Sequence, residues 1–309
     1  MTLTDAAPAK LRRDCPVCGA AAATAELFID RNIDPSRLSR SSFASRKTPE
    51  FMNHRLMRCK GCDLVFADEP PSQGELALAY HQADYDSSQE ADAAAATYVG
   101  ALAPLLARLR QRGGALEIGA GTGVFLQKLV DAGFADVIGV EPSPAAIDAA
   151  PAHRRGWLKQ GVFEDKDFEP ASFDFVCCFM TMEHVRDPDV VARAALALLR
   201  PGGAFAVVVH DHRALVNRVL GARSPIIDIQ HMQLFSRRSV ARLLSEAGFD
   251  DVRVKSFANR YRLDYWLRLT PAPAPIKDAA QRLLALTGLG RVAFSANVGN
   301  LMAWGVKKA

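Results

Sequence analysis

The stretch Leu116-Glu117-Ile118-Gly119-Ala120-Gly121-Thr122-Gly123 decides the fold of this chain. Ala115 to Gly119 is short and apolar, as a buried strand is, and the glycines at 119, 121 and 123 let the backbone turn sharply and come close to a ligand. Phe125 to Ala132 continues as a helix whose N-terminus faces that ligand. Val137-Ile138-Gly139-Val140-Glu141 reads as a second buried strand, about 20 residues on, ending in a carboxylate able to accept both hydroxyl hydrogen bonds of a ribose.

Outward from this unit the pattern repeats. Upstream, Val99, Leu102, Leu105, Leu106 and Leu109 recur at helical spacing and predict a helix from Thr97 to Arg112, closed by Gly113-Gly114. Downstream, Phe173 to Phe179 is an apolar strand and Val190 to Leu199 a helix. Pro201-Gly202-Gly203 is a turn and Ala204 to Val209 a further strand. Val240 to Ala247 is an amphipathic helix closed by Gly248, Val252 to Val254 a strand, and Asn300 to Val306 the last strand, placed in an antiparallel edge hairpin. The fold class is therefore α/β, a Rossmann-like sheet with helices on both faces.

A glycine loop of this kind also serves nicotinamide dinucleotides, but those are written Gly-x-Gly-x-x-Gly to seat a pyrophosphate. Here the spacing is Gly-x-Gly-x-Gly, preceded by Glu117, a carboxylate suited to the positively charged end of S-adenosylmethionine (SAM). Gln160-Gly161-Val162-Phe163-Glu164-Asp165 ahead of Phe173-Asp174, and Pro201-Gly202-Gly203 before the next strand, complete an order that resembles the class I SAM-dependent methyltransferases between Thr97 and Val254. The resemblance implies cofactor contacts at Glu117, Gly119, Gly121, Gly123, Glu141 and Met180, with Phe163 and Glu164 near the adenine.

Six cysteines are present, and four of them form Cys15-Pro16-Val17-Cys18 and Cys59-Lys60-Gly61-Cys62. Two such turns can point four thiolates, Cys15, Cys18, Cys59 and Cys62, at one tetrahedral Zn²⁺ with no open position, which makes the ion structural. Asp63-Leu64-Val65-Phe66 suits the hairpin of a zinc ribbon, with Asn32 to Pro49 looped out. Together with Pro70-Pro71 and Tyr80, this head looks like that of bacterial methyltransferases acting on sugars or natural products. The division predicted is a zinc-binding module over 1–70, a linker or lid over 71–97 carrying Tyr80, His81 and Tyr85, and a methyltransferase domain over 98–309.

Met180 to Pro188 follows the fourth strand of the sheet, at the carboxyl edge where ligands of doubly wound folds bind. Glu183 and His184 are the candidate catalytic residues there, His184 as a base that takes the acceptor's proton. His231, in Gln230 to Ser236, is a second candidate, and about 210–235 is expected to cover the acceptor with a helical insertion. Asp187 reads as a helix cap ahead of Pro188, and Ser236 as another. Tyr261, Tyr265 and Trp266 could bind an acceptor or a partner chain, but at helical spacing such aromatics are more often core.

With 49% hydrophobic residues and a net charge of +4 spread in short groups, composition argues against nucleic acid as a partner. A zinc-ribbon RNA methyltransferase is kept as an alternative on Arg12, Arg13, Arg46, Lys47, Arg55, Arg58 and Lys60, and a non-catalytic SAM-binding protein as another. No apolar run approaches the roughly 18 residues that span a bilayer, and no leader is apparent, so a cytoplasmic enzyme, monomer or homodimer, is expected. Its acceptor is expected to be a small molecule, a (nucleotide-)sugar or a natural product, methylated on oxygen or activated carbon.

Overall fold

A computed structural model describes residues 12–44, 50–85, 88–270 and 272–309. In chain order, β1 (Glu26–Ile29), β2 (Leu56–Arg58) and β3 (Val65–Ala67) lead into α1 (Gln73–Gln82) and α2 (Ser88–Leu106). Then come β4 (Gly114–Ile118), α3 (Val124–Asp131), β5 (Asp136–Glu141), α4 (Pro144–Ala149), α5 (Ala152–Arg155), β6 (Leu158–Gln160) and β7 (Phe173–Phe179). They are followed by α6 (Pro188–Leu198), β8 (Leu199–His210), α7 (Leu215–Leu220), β9 (Gln233–Leu234) and α8 (Arg237–Ala247). The chain closes with β10 (Asp250–Arg262), α9 (Leu263–Leu269), α10 (Ala274–Thr287) and β11 (Ala293–Val306).

The large sheet has seven strands in the order β10-β11-β8-β7-β4-β5-β6, with β6, β5, β4, β7 and β8 parallel and the last two antiparallel. Period-two alternation supplies both cores at once. Phe175 and Cys177 join Ala204, Ala206 and Val208 beneath α2 and α3. Val176 and Cys178 join Phe205, Val207 and Val209 beneath α6 and α8. Neighbouring Cys177 and Cys178 therefore serve opposite cores, both fully buried. This is the Rossmann-like sheet read from the sequence.

The differences lie at the joins. α2 starts at Ser88 instead of Thr97 and stops at Leu106 instead of Arg112, its last turn tightening into i to i−3 bonds at Arg108 and Leu109. β10 and β11 form the antiparallel edge hairpin read from the sequence, β10 outermost and β11 against β8, but both run longer than predicted. Only the second Cys-x-x-Cys turn joins a hairpin, β2–β3. The first closes on itself through Cys15 N–H to Ala20 O at 2.9 Å. The interval after Asn32 holds two short 3-10 turns, Pro35–Arg37 and Arg40–Phe43; 45–49, with Arg46 and Lys47, lies outside the described residues.

The first seventy residues do not stand apart from the rest. Their sheet runs β1-β2-β3-β9, taking its fourth strand from residues 233–234, and Ala67 N–H donates to Met232 O at 2.8 Å. Arg13 donates to Arg186 O at 2.5 Å, and Arg213 Nε to Asp63 Oδ2 at 2.9 Å. Cys15, Val17, Cys59 and Phe66 belong to the same apolar cluster as Ile118 and Val207. Within 210–235, α-helix is confined to six residues of α7, followed by the 3-10 turn Gly221–Arg223 and a run of turns up to β9. Among the described residues, no helix is long and apolar enough to cross a membrane.

Candidate active site and cysteine cluster

A half-enclosed cavity of about 1040 Å³ sits at the carboxyl ends of β4, β5, β7 and β8. That is at the upper end of what one drug-sized ligand occupies, so it has room for a cofactor and an acceptor together. Glu117, Gly119, Gly121, Glu141, Phe163 and Met180 line it, as do His184, His210 and His231. Both linker helices cover it, with Leu76 and Tyr80 from α1 and Ala95 and Tyr98 from α2. Tyr80 and Tyr85 of the predicted linker line the cavity, whereas exposed His81 turns to Gln160 at 3.4 Å.

The glycine loop takes its shape from two contacts. Gly119, at φ +78°, lies so close to Thr181 that any Cβ would collide with that side chain, so glycine is required on both counts. Gly121 N–H donates to Glu141 Oε2 at 2.8 Å and Ser143 N–H to Glu141 Oε1 at 2.9 Å, fixing the carboxylate at the end of β5. Gly123, at φ +68°, starts α3 from the left-handed region. Met180 also adopts positive φ, +52°, which is rare for its type and marks the bend that leaves β7.

Glu117 is buried and its Oε2 has no hydrogen-bond partner. Burial, with the nearby Glu141 charge adding to it, pushes its carboxyl well above the usual carboxylate range. An orphaned buried carboxylate in a ligand cavity is a receptor for positive charge. Glu141 is also raised by burial, held back by its two backbone N–H donors. Phe163 lines the cavity and stacks on Phe168 with centroids 6.3 Å apart. Glu164 does not line it; its exposed carboxylate pairs with Lys166 at 2.5 Å, so the expected adenine contact falls to Phe163 alone.

Three imidazoles meet on the acceptor side. His184 and His231 have ring centroids 4.9 Å apart, and His231 and His210 5.4 Å. His231 Nδ1 lies 2.8 Å from Ile226 O, a carbonyl that only accepts, so the proton sits on Nδ1 and Nε2 keeps its lone pair. Burial, then the His210 charge, lowers its pKa. His184 Nδ1 is 3.0 Å from the Tyr80 hydroxyl of the lid. Glu183 is fully buried, is not among the cavity-lining residues, and accepts from His210 N–H at 2.6 Å, with its Oε1 also 3.1 Å from His210 Nδ1. Burial would raise its pKa, but the His210 hydrogen bond and the charges of His210, His231 and His184 hold it low. Glu183, expected as a catalytic residue, thus lies behind His210 and outside the cavity lining.

Asp187 occupies the N-cap position of α6 without capping it, its carboxylate drawn instead to Arg13 at 3.7 Å and Arg186 at 3.4 Å. Ser236 caps α8 as expected. His212 leaves the site altogether, with Nε2 3.0 Å from Asp63 O behind the second cysteine turn. Sequence reasoning missed Tyr98, Asn259 and Asn300 and favoured the core for Tyr261, Tyr265 and Trp266, yet all six line the cavity. Their only signal was polar asparagine inside otherwise strand-like runs.

A methyltransferase-domain family model matches residues 56–254. The chain belongs to that family. This methyltransferase domain is 34% identical over 118 residues to a ubiquinone biosynthesis O-methyltransferase of Ralstonia nicotianae, covering 35% of this chain and 48% of that protein. It is 25% identical over 152 residues to another from Idiomarina loihiensis, covering 45% and 62%. The chain thus spans about half the length of the curated relatives it matches. A SAM-dependent methyltransferase of Thermotoga maritima, described as a possible histamine N-methyltransferase, superposes with a TM-score of 0.46 at 23% identity, covering 71% of this chain and 91% of that one.

Away from the cavity, the sulfurs of Cys15, Cys18, Cys59 and Cys62 all lie within 4.8 Å of one another, with Cys15–Cys62 and Cys18–Cys59 both at 3.5 Å. Tetrahedral zinc with Zn–S near 2.3 Å needs sulfurs about 3.8 Å apart, inside that range. Around them, Arg55 and Arg12 are paired with Asp68, Arg58 with Glu26, and Arg13 is inside the interface.

Proposed function

We propose that this protein is a SAM-dependent methyltransferase acting on a hydroxyl oxygen of a small molecule, with His231 as the base. The observation that carries this reading is that one cavity is lined both by the glycine loop with Glu117 and Glu141 and by the His184–His231–His210 cluster.

When bound, SAM supplies an activated methyl on a sulfonium centre, so the chain has to bind, orient and deprotonate. The orphaned Glu117 carboxylate suits the cofactor's ammonium end. Glu141 has lone pairs left for ribose hydroxyls, Phe163 offers a face to the adenine, and the backbone at Gly119, Gly121 and Met180 approaches the rest, while Gly123, expected as a further contact, packs against Leu158 and Leu126 outside the cavity lining. His231 Nε2, neutral and open, takes the proton from the acceptor hydroxyl as its oxygen becomes a better nucleophile. His184, tied to Tyr80, links that proton acceptor to the lid, and Glu183 fixes His210 beside it. The four cysteines are proposed to hold a structural Zn²⁺. Pairing of Arg12 and Arg55 with Asp68 and of Arg58 with Glu26 counts against an RNA-binding face there, while Lys60 stays exposed.

A melting experiment tests the cofactor: SAM or S-adenosylhomocysteine at 100 times Kd adds about 2.7 kcal/mol of stability, and a shift with NAD but with neither of these overturns the reading. His231→Gln should keep the shift and lose turnover by about 10²–10⁴-fold. Unchanged turnover removes His231 from the mechanism.

A further inference from the structure

We propose that the acceptor is an uncharged, hydroxyl-bearing ring compound, and that acceptors carrying phosphate or carboxylate, nucleotide-linked sugars among them, are refused. The inference rests on the methyltransferase reading and adds the acceptor class to it.

Charge is the first argument. Five carboxylates line the cavity, from Asp84, Glu117, Glu141, Asp187 and Asp228, and among the described lining residues there is neither lysine nor arginine. Phosphate and carboxylate groups taken out of water need such cations, and the described lining supplies none. The imidazoles do not replace them: burial keeps His231 neutral, and His210 is committed to Glu183. Nor do the carboxylates call for a cationic acceptor. Asp84 pairs with Arg40 at 3.2 Å, Asp187 with Arg13 and Arg186, Asp228 accepts from Gln230 N–H at 3.1 Å, and Glu117 and Glu141 belong to the cofactor end.

The second argument is the wall opposite. β10 and β11 carry Asn259 and Asn300 into the cavity lining, 3% and 4% exposed, and the Oδ1 of each has no partner. Buried amides left unmatched on two strands are matched by a ligand's hydroxyl groups, which both donate and accept. Asn300 sits directly across from His210 in the β11–β8 register, so a hydroxyl held there lies beside the histidine cluster. Tyr261 packs on Tyr265 and Trp266 with centroids 4.7 and 5.2 Å apart, forming a rigid aromatic wall for the flat face of a ring.

The test uses the protein loaded with S-adenosylhomocysteine and three probes in calorimetry: 3,4-dihydroxybenzaldehyde, 3,4-dihydroxybenzoate and UDP-glucose. The aldehyde should bind, the benzoate at least about tenfold more weakly, and UDP-glucose not measurably. Asn300→Leu and Asn259→Leu should each weaken the aldehyde about tenfold while leaving S-adenosylhomocysteine affinity intact. Leu220→Lys, which places a cation in the lining without touching either amide, should raise benzoate affinity at least about tenfold. Benzoate or UDP-glucose binding as tightly as the aldehyde overturns the proposal, as does an aldehyde that fails to bind. If S-adenosylhomocysteine itself does not bind, the methyltransferase reading falls first.

Discussion

Gly119→Ala tests the link between the glycine loop and the loop that leaves β7. Two costs can be worked out separately. Alanine at φ +78° incurs about 1–2 kcal/mol for the left-handed region. Its Cβ would also lie within 3.0 Å of the Oγ1, Cγ2 and Cβ of Thr181. Thr181 cannot easily yield, since its hydroxyl donates to Phe179 O at 3.0 Å and its neighbour Met182 is fully buried. Overpacking of that kind costs about 1–3 kcal/mol. Together the loss is about 2–5 kcal/mol, or about 4–10 °C in Tm at the low end of the size scaling, with SAM affinity falling because the loop moves away from its ligand. Urea unfolding and SAM titration of Gly119→Ala, Thr181→Ala and the double variant separate the terms. Thr181→Ala removes two of the three clashing atoms, so it should recover the contact share, about 1–3 kcal/mol, and leave the backbone share. A single variant with wild-type stability and SAM affinity, or a double variant that recovers nothing, refutes the reasoning.

Acid should destabilise the fold through its buried imidazoles. Burial outweighs the Ile229 backbone hydrogen bond at His54 and takes its pKa from 6.5 down to about 4, and burial lowers His212 and His231 as well. The unfolded chain then binds more protons than the folded one below pH 6.5, so stability is full above that value and is lost as pH falls toward 4, by about 2–3 kcal/mol for His54. His54→Phe should flatten the slope of urea midpoint against pH, and an unaltered slope counts against the assignment. Purified protein should carry one zinc per chain by elemental analysis. Chelation or Cys59→Ser should lower Tm and speed amide exchange in β3 and β9 together, because these strands share hydrogen bonds. Stable, fully protected β9 after metal removal contradicts that coupling.

The sequence by itself determined the sheet, its glycine loop, Glu141 at the end of β5 and the cysteine tetrad, because each is local: a period of two, a turn that needs glycine, a Cys-x-x-Cys spacing. It also placed His184 and His231 near one another in role. What only the tertiary structure decided came from long-range pairing. β9 pairs with β3 of the cysteine module across more than 160 residues of sequence. Glu183 is buried while its neighbour His184 lines the cavity, a split made by the turn that follows β7, where His184 N–H closes onto Thr181 O. The β10–β11 hairpin, with α9 between its strands, brings Asn259, Asn300 and three aromatic residues into the cavity wall. Sequence periodicity reports which residues leave water. Whether they face a core or a ligand depends on what the rest of the chain puts opposite them, and that is a property of the folded molecule.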